Sequence, residues 1–152
     1  MSRSGTAMKE KICVTRPYRF CAAHRLHTNA LPDDVNRKIY DKCNNPNGHG
    51  HNYTVFVTVT GELDPKTGDV TDVEALDRLV NRKIVERFDH RHLNHDPAFQ
   101  QVVTTGENLV KFIWDELVND VPVGQLEKIG LIETRDNYFE YQESVLSEPQ
   151  AT

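Results

Sequence analysis

Apolar residues recur at alternate positions from Ile12 to Leu26, through Val14, Tyr18, Phe20 and Ala22, with Arg16 and His24 interrupting the same face. A period of two predicts a strand with one covered face, because successive side chains point to opposite sides. A second stretch, HNYTVFVTVTGEL, repeats the pattern, with His51, Tyr53, Val55, Val57 and Val59 alternating against Asn52, Thr54, Thr58 and Thr60. Between them, Thr28 to Asp41 has no sustained period and carries Pro32, Asp33, Asp34 and Asn36, so it reads as a long loop with one helical turn. Loops of that length in compact domains often carry function. CNNPNGHG follows, dense in turn formers.

Thr71 with Glu74 forms a capping box that predicts a helix start, and Val73, Leu76, Val80, Ile84 and Phe88 then recur at helical spacing. A second box, Thr104 with Glu107, precedes Leu109, Phe112, Ile113 and Leu117, an amphipathic helix that must end before Pro122. LEKIGLIETRDNYFEYQE reads as two strands reversing at Asp136-Asn137. The order ββααββ predicts an α+β domain, an antiparallel sheet with both helices on one face. Such an open sheet keeps two unpaired edges, which predicts an oligomer.

A length of 152 residues favours a single domain with its own core. Residues 1–10 are polar and unpatterned, a flexible N-terminus, and the start lacks the apolar core of a secretory signal, which points to a cytoplasmic protein. No apolar run approaches the roughly 18 residues of a membrane span. The cysteines Cys13, Cys21 and Cys43 are odd in number, in keeping with a reducing compartment. A net charge of −5 argues against nucleic acid as partner. Seven histidines stand out.

Their placement is informative. In His49-Gly50-His51, positions i and i+2 of a strand share a face, so both imidazoles can converge on one ion, with Gly48 and Gly50 leaving room. If the first two strands pair antiparallel, His24 at the end of one meets the start of the other. Three histidines with no thiolate at ligand spacing resemble a catalytic zinc site with an open fourth position, though strand-end histidines can also bond only water or backbone. Zinc leads iron and copper because it brings no redox hazard. Cys43 lies six residues before His49, where a nearby metal or imidazolium would lower its pKa for work as base or nucleophile. It could equally be a fourth ligand or a buried small residue. Cys13 and Cys21 fall on the opposite face from His24 and read as packing. In DHRHLNH, Asp89 and His90 could relay a proton, although histidine near a helix C-terminus is favoured by the dipole alone. Glu133 follows Ile129 and Leu131 onto the covered face, where it needs a basic partner or the N–H groups of a ligand.

CNNPNGHGHNY, with FCAAHRL, FDHRHL, TTGENL and IGLIET in order along the sequence, resembles the 6-pyruvoyl-tetrahydropterin synthase family. The resemblance implies a T-fold catalytic domain over residues 11–146, with residues 147–152 a flexible tail, oligomerising into a barrel and assembling as a homohexamer of two trimers. It implies a lyase that converts 7,8-dihydroneopterin triphosphate to 6-pyruvoyl-tetrahydropterin and triphosphate in tetrahydrobiopterin synthesis. It further implies one zinc per subunit on His24, His49 and His51, and Cys43 as the proton-abstracting base. Asp89 and His90 would complete its triad from a neighbouring subunit, Glu133 would anchor the pterin, and Thr104, Thr105 and Glu107 would line the pterin pocket. Cys21 stands where animal relatives often carry serine. Gly106 stands where a larger residue is expected, which predicts a looser pocket. The rivals are 6-carboxy-tetrahydropterin synthase of the queuosine pathway, which shares the fold and substrate, a non-catalytic zinc-stabilised binding module, and metal-assisted hydrolysis.

Overall fold

In the computed structural model, the described residues are 10–143, so all of the two expected flexible termini but Glu10 lies outside them. Strands β1 (Ile12–His24) and β2 (His49–Gly61) pair antiparallel along their whole length, from Ile12 opposite Gly61 to His24 opposite His49. On the far side of β2 comes β4 (Gln125–Glu133), with a bulge at Thr58/Val59, and then β5 (Asn137–Tyr141). These are the four expected strands. A fifth, β3 (Arg91–His92), pairs parallel with Ala22 and Ala23 at the edge of β1.

Alternation does what the pattern predicts. Tyr18, Phe20 and Ala22 of β1, Tyr53, Val55, Val57 and Val59 of β2, and Ile129 and Leu131 of β4 are all buried on one face. Helix α2 (Val73–Val80) continues through a π turn at Asn81–Val85 into α3 (Glu86–Phe88), and α4 (Gly106–Leu117) lies beyond. They complete the core with Leu76, Val80, Ile84, Phe88, Leu109, Ile113 and Leu117. Each such side chain removed from water contributes about 1.5–3 kcal/mol, so the layer of helices over sheet is held mainly by this seam. Arg16 sits on the inner face because Asp77 of α2 meets it at 3.1 Å and also accepts from the Tyr18 hydroxyl at 2.6 Å. Among the described residues no helix is long and apolar enough to cross a membrane.

The departures from expectation lie in turns and caps. The loop after β1 holds a full helix, α1 (Asp33–Tyr40), followed by a 3-10 turn at Asp41–Asn44. Asp72, not Thr71, caps α2 by accepting from the Ala75 N–H, because the Thr71 hydroxyl donates to the Val123 carbonyl at 2.7 Å. Thr105, not Thr104, caps α4 by accepting from the Asn108 N–H, because the Thr104 hydroxyl is bonded inside the fold. The β4–β5 reversal is a three-residue connection, Thr134 to Asp136, rather than a turn centred on Asp136-Asn137. Thr134 takes φ +55° there while its N–H donates to the Asn52 carbonyl at 2.9 Å, which carries the β2–β4 ladder one residue further. Cys13 and Cys21 are on the face opposite His24, as parity requires, but both are exposed rather than packed, since within one subunit nothing covers them.

One ion pair ties the end of the α2–α3 run to the segment leading to α4. The Arg87 guanidinium donates twice to the Asp96 carboxylate at 2.8 Å and stacks over the Phe112 ring at 4.8 Å, while Asp96 also accepts from the Ala98 N–H. Those bonds, Arg87's first, hold the Asp96 carboxyl below its ordinary pKa. A carboxyl depressed in the folded state stabilises it above the unfolded pKa, and that contribution disappears as pH falls through the folded value. Asp96→Ala is therefore expected to cost about 2 kcal/mol at pH 7, the worth of charge-assisted hydrogen bonds. In urea denaturation at fixed protein concentration the gap from wild type should narrow at pH 3; a gap independent of pH would contradict this.

Candidate metal centre and its surroundings

The register of β1 on β2 puts His24 directly opposite His49, and the pleat brings His51 to the same face. One ring nitrogen from each of the three lies within 4.8 Å of the other two. His24 is fully buried, and its Nδ1–H donates to the Thr104 carbonyl at 2.8 Å, which leaves Nε2 as the lone-pair nitrogen, 3.0 Å from His49 Nε2. Burial pushes the His24 pKa down to about 4 and also lowers that of His49, so both imidazoles are neutral at pH 7. Two lone pairs at that separation repel unless a proton or cation lies between them. Tetrahedral zinc, with Zn–N near 2.0–2.1 Å, needs ligand nitrogens about 3.3 Å apart, close to the spacing seen. His51 shares a hydrogen bond between Nδ1 and the Thr134 hydroxyl, while its buried Nε2 has no partner. A buried ring nitrogen left orphaned beside two others is what a metal ligand looks like before the metal is counted.

The surroundings are acidic and aromatic. Glu133 is placed on the inner face as its alternation predicts, 13% exposed, with Oε1 at 3.7 Å from His51 Nε2. Tyr53, opposite Glu133 in the sheet, lies beneath the cluster with its hydroxyl 3.4 Å from His24 Nδ1, and burial together with Glu133 makes that phenol harder to ionise. Cys43 sits half-buried in the Asp41–Asn44 turn. Its thiol pKa is raised, first by burial and then by Glu133 and Asp41, the opposite direction from the lowering its nearness to histidines predicts. Within one subunit the sulfur meets carboxylates rather than a cation.

Asp89 and His90 stand elsewhere. Asp89 accepts from the Cys21 N–H at 2.9 Å, and the His90 N–H donates to the Cys21 carbonyl at 2.7 Å, which fixes the pair at the edge of β1. The two side chains approach to 3.7 Å, and that of His90 is 81% exposed. Among the described residues no hydrogen bond or ion pair joins them to Cys43. Thr104 is buried: its carbonyl orients His24, and its hydroxyl donates to Asn94 Oδ1 at 3.2 Å. Thr105 caps α4, and Glu107 is exposed on its first turn.

Three glycines depart from what was predicted of them. At Gly48, with φ +74°, a Cβ would lie 2.8 Å from His92 Nε2, so the residue makes room for a histidine behind the cluster. Gly50 is under no such pressure. Gly106 is buried, and a Cβ there would fall 2.1 Å from the Phe139 ring, so an aromatic side chain fills the space that a larger residue would occupy. The expected loosening is absent at that position. Tyr53, Thr134, Asn44 and Asn94 were not legible as site residues. Tyr53 belongs to an ordinary apolar alternation, and Asn in a turn signals only a turn.

Comparison with known proteins adds a separate line. The family model for 6-pyruvoyl tetrahydropterin synthase matches residues 13–144. The human 6-pyruvoyl tetrahydrobiopterin synthase is 44% identical over 143 residues, spanning 93% of this chain and 99% of the human one. The solved 6-pyruvoyl tetrahydropterin synthase of Caenorhabditis elegans superposes with a TM-score of 0.83 at 37% identity, covering 89% of this chain and 97% of that one. A 6-carboxy-5,6,7,8-tetrahydropterin synthase of Haemophilus influenzae is 28% identical, over 67% of this chain and 85% of its own. A family model matching residues 13–144 and relatives of 44% and 37% identity over most of both lengths show that the chain belongs to the 6-pyruvoyl tetrahydropterin synthase family.

Proposed function

We propose that this protein is a zinc-dependent lyase that converts 7,8-dihydroneopterin triphosphate to 6-pyruvoyl-tetrahydropterin and triphosphate. The observation that carries the reading is the orphaned Nε2 of His51, set beside His24 and His49 and 3.7 Å from Glu133. His24, His49 and His51 would hold the ion. When bound, zinc supplies Lewis-acid polarisation of the hydroxyls on the substrate's tail, which acidifies the neighbouring C–H bonds.

The protein's own groups account for the rest. Glu133, at the end of β4, takes two N–H bonds from the pterin's amino and ring positions, a bidentate contact that fixes the ring. Cys43 as thiolate removes a proton from a carbon of the substrate's tail. In one subunit it faces Glu133 and Asp41, which oppose ionisation. The His90 imidazole of a neighbouring copy, oriented by Asp89, would sit beside the sulfur and return a proton, so the centre is complete only in an assembly, here proposed as a hexamer of two trimers. The open lower edge of β1 and the exposed outer face carrying Cys13 and Cys21 support such pairing. The balance needs no external oxidant. One carbinol of the tail is oxidised as the ring C=N is reduced, and triphosphate leaves as the adjacent enol collapses to a ketone. The higher identity to the pyruvoyl enzymes than to the 6-carboxy enzyme favours a pyruvoyl product.

Incubation with dihydroneopterin triphosphate and mass spectrometry of the product tests the reading: a pyruvoyl tail is expected, and a carboxyl group or unchanged substrate would refute it. His49→Ala should lose bound zinc, and stoichiometric metal in that variant would remove the ligand assignment. Cys43→Ala should keep metal and assembly while kcat drops about 10²–10⁴-fold, the usual contribution of a general base. Undiminished turnover there would exclude the thiol. Glu133→Gln should raise the dissociation constant of a pterin about 10–100-fold, the worth of a charge-assisted contact; unaltered binding, read by fluorescence titration, would dismiss the anchor.

A further inference from the structure

β1 ends at His24, so the backbone of the next two residues has no sheet partner, yet every N–H and C=O of Arg25 and Leu26 is bonded. Asn94 takes both groups of Arg25: its Oδ1 accepts the N–H at 2.9 Å, and its Nδ2 donates to the carbonyl at 2.8 Å. Leu26 is taken from the other side, with its N–H donating to the Cys43 carbonyl at 2.8 Å and its carbonyl accepting from Asn44 Nδ2 at 2.7 Å. Asn44 Nδ2 also reaches His27 Nδ1 at 3.0 Å, and the Asn44 carbonyl accepts from Arg25 Nε at 3.1 Å. Asn45, the next residue, shows what a turn asparagine ordinarily does: its side chain accepts from Asn47 N–H two residues on. Asn44 does not do this. It is 4% exposed, and its bonds reach 17 to 18 residues back along the sequence.

The run of bonds is continuous at both ends. At one end the His24 ring donates to the Thr104 carbonyl, and the Thr104 hydroxyl donates to Asn94. At the other, the backbone carbonyl that Leu26 holds is that of Cys43 itself. Buried polar networks in which each member is satisfied rigidify what they connect. We propose that Asn44 is a positioning residue, which clamps the Cys43 turn to the residues following His24 and so sets the sulfur's place relative to the imidazole cluster. Asn94 braces the same two residues from behind. This rests on the role proposed above for Cys43.

A plain loop staple is the competing account, and the molecule contains one for comparison. Asn36 is fully buried and bonds Thr28, Leu31 and Pro32, but it has no link to the Cys43 turn. Asn44→Ala, Asn36→Ala and Cys43→Ala are to be measured as metal-loaded enzymes for zinc content, KM and kcat. Displacing a reacting group by about 1 Å costs on the order of 100-fold, so Asn44→Ala should lose about 10–100-fold in kcat with KM within about threefold and zinc retained. Asn36→Ala should lower the melting temperature yet keep kcat within about threefold of wild type. A kcat loss in Asn44→Ala no larger than in Asn36→Ala, a change confined to KM, or parallel loss of zinc overturns the proposal. Undiminished turnover in Cys43→Ala would instead bring down the role of Cys43, which separates the two failures. Should Asn44→Ala not fold, hydrogen exchange in the wild-type protein decides: the 25–27 peptide should be protected like β1, and exchange as fast as the 28–32 loop overturns the clamp.

Discussion

The pairing of His24 with His49 across β1 and β2 is the constraint on which the rest depends. It closes a ladder that begins at Ile12 and Gly61, so the position of two imidazoles is fixed by thirteen consecutive backbone pairs rather than by the histidines themselves. A slip of one residue would turn Tyr53, Val55, Val57 and Val59 to the outer face. The apolar core therefore enforces the register of the site. An imidazole cluster that would otherwise be disfavoured, with lone pairs 3.0 Å apart, is held together by burial of valines far from it.

Around that point the fold assigns different jobs to its layers. The sheet supplies the three imidazoles and Glu133, all on one face and all near strand ends, where paired backbone fixes their positions. The start of α4 supplies no charge to the centre. Through Thr104 it contributes the carbonyl that selects the His24 tautomer. The turns supply Cys43 and the asparagines that hold it. Glycines adapt the fit from behind: Gly48 admits His92, and Gly106 admits Phe139.

The proposed chemistry asks for a thiolate at Cys43, and the surroundings of the sulfur in one subunit work the other way. Burial first, and then the negative charge of Glu133 and Asp41, raise the Cys43 pKa, while Asp89 with His90 stands at the edge of β1. The same edge is the part of the sheet that β3 covers only at Ala22 and Ala23. Asp89 and His90 take up the Cys21 backbone, and among the described residues the β1 edge below them is open to pairing.

Much of this could be read from residue order. Alternation placed the strands and told which face Glu133 would occupy, and the i, i+2 relation put His49 with His51, because side-chain direction in a strand is local geometry that travels with the sequence. His24 joined them once antiparallel pairing was assumed. What residue order left open was decided by contacts between segments far apart along the backbone. Thr71 and Thr104 carry sound capping signals, yet Asp72 and Thr105 cap the helices, because the Val123 carbonyl and Asn94 claim the first pair's hydroxyls. The direction of the Cys43 shift was set first by burial in the folded turn and then reinforced by Glu133, ninety residues on, and by Asp41. Asn44 read as a turn residue, and Asn94 as nothing in particular, until the path of the loop after β1 brought Arg25 and Leu26 between them. Periodicity is a property of neighbours in sequence; which polar groups satisfy one another depends on where the loops cross, and only the folded molecule sets that.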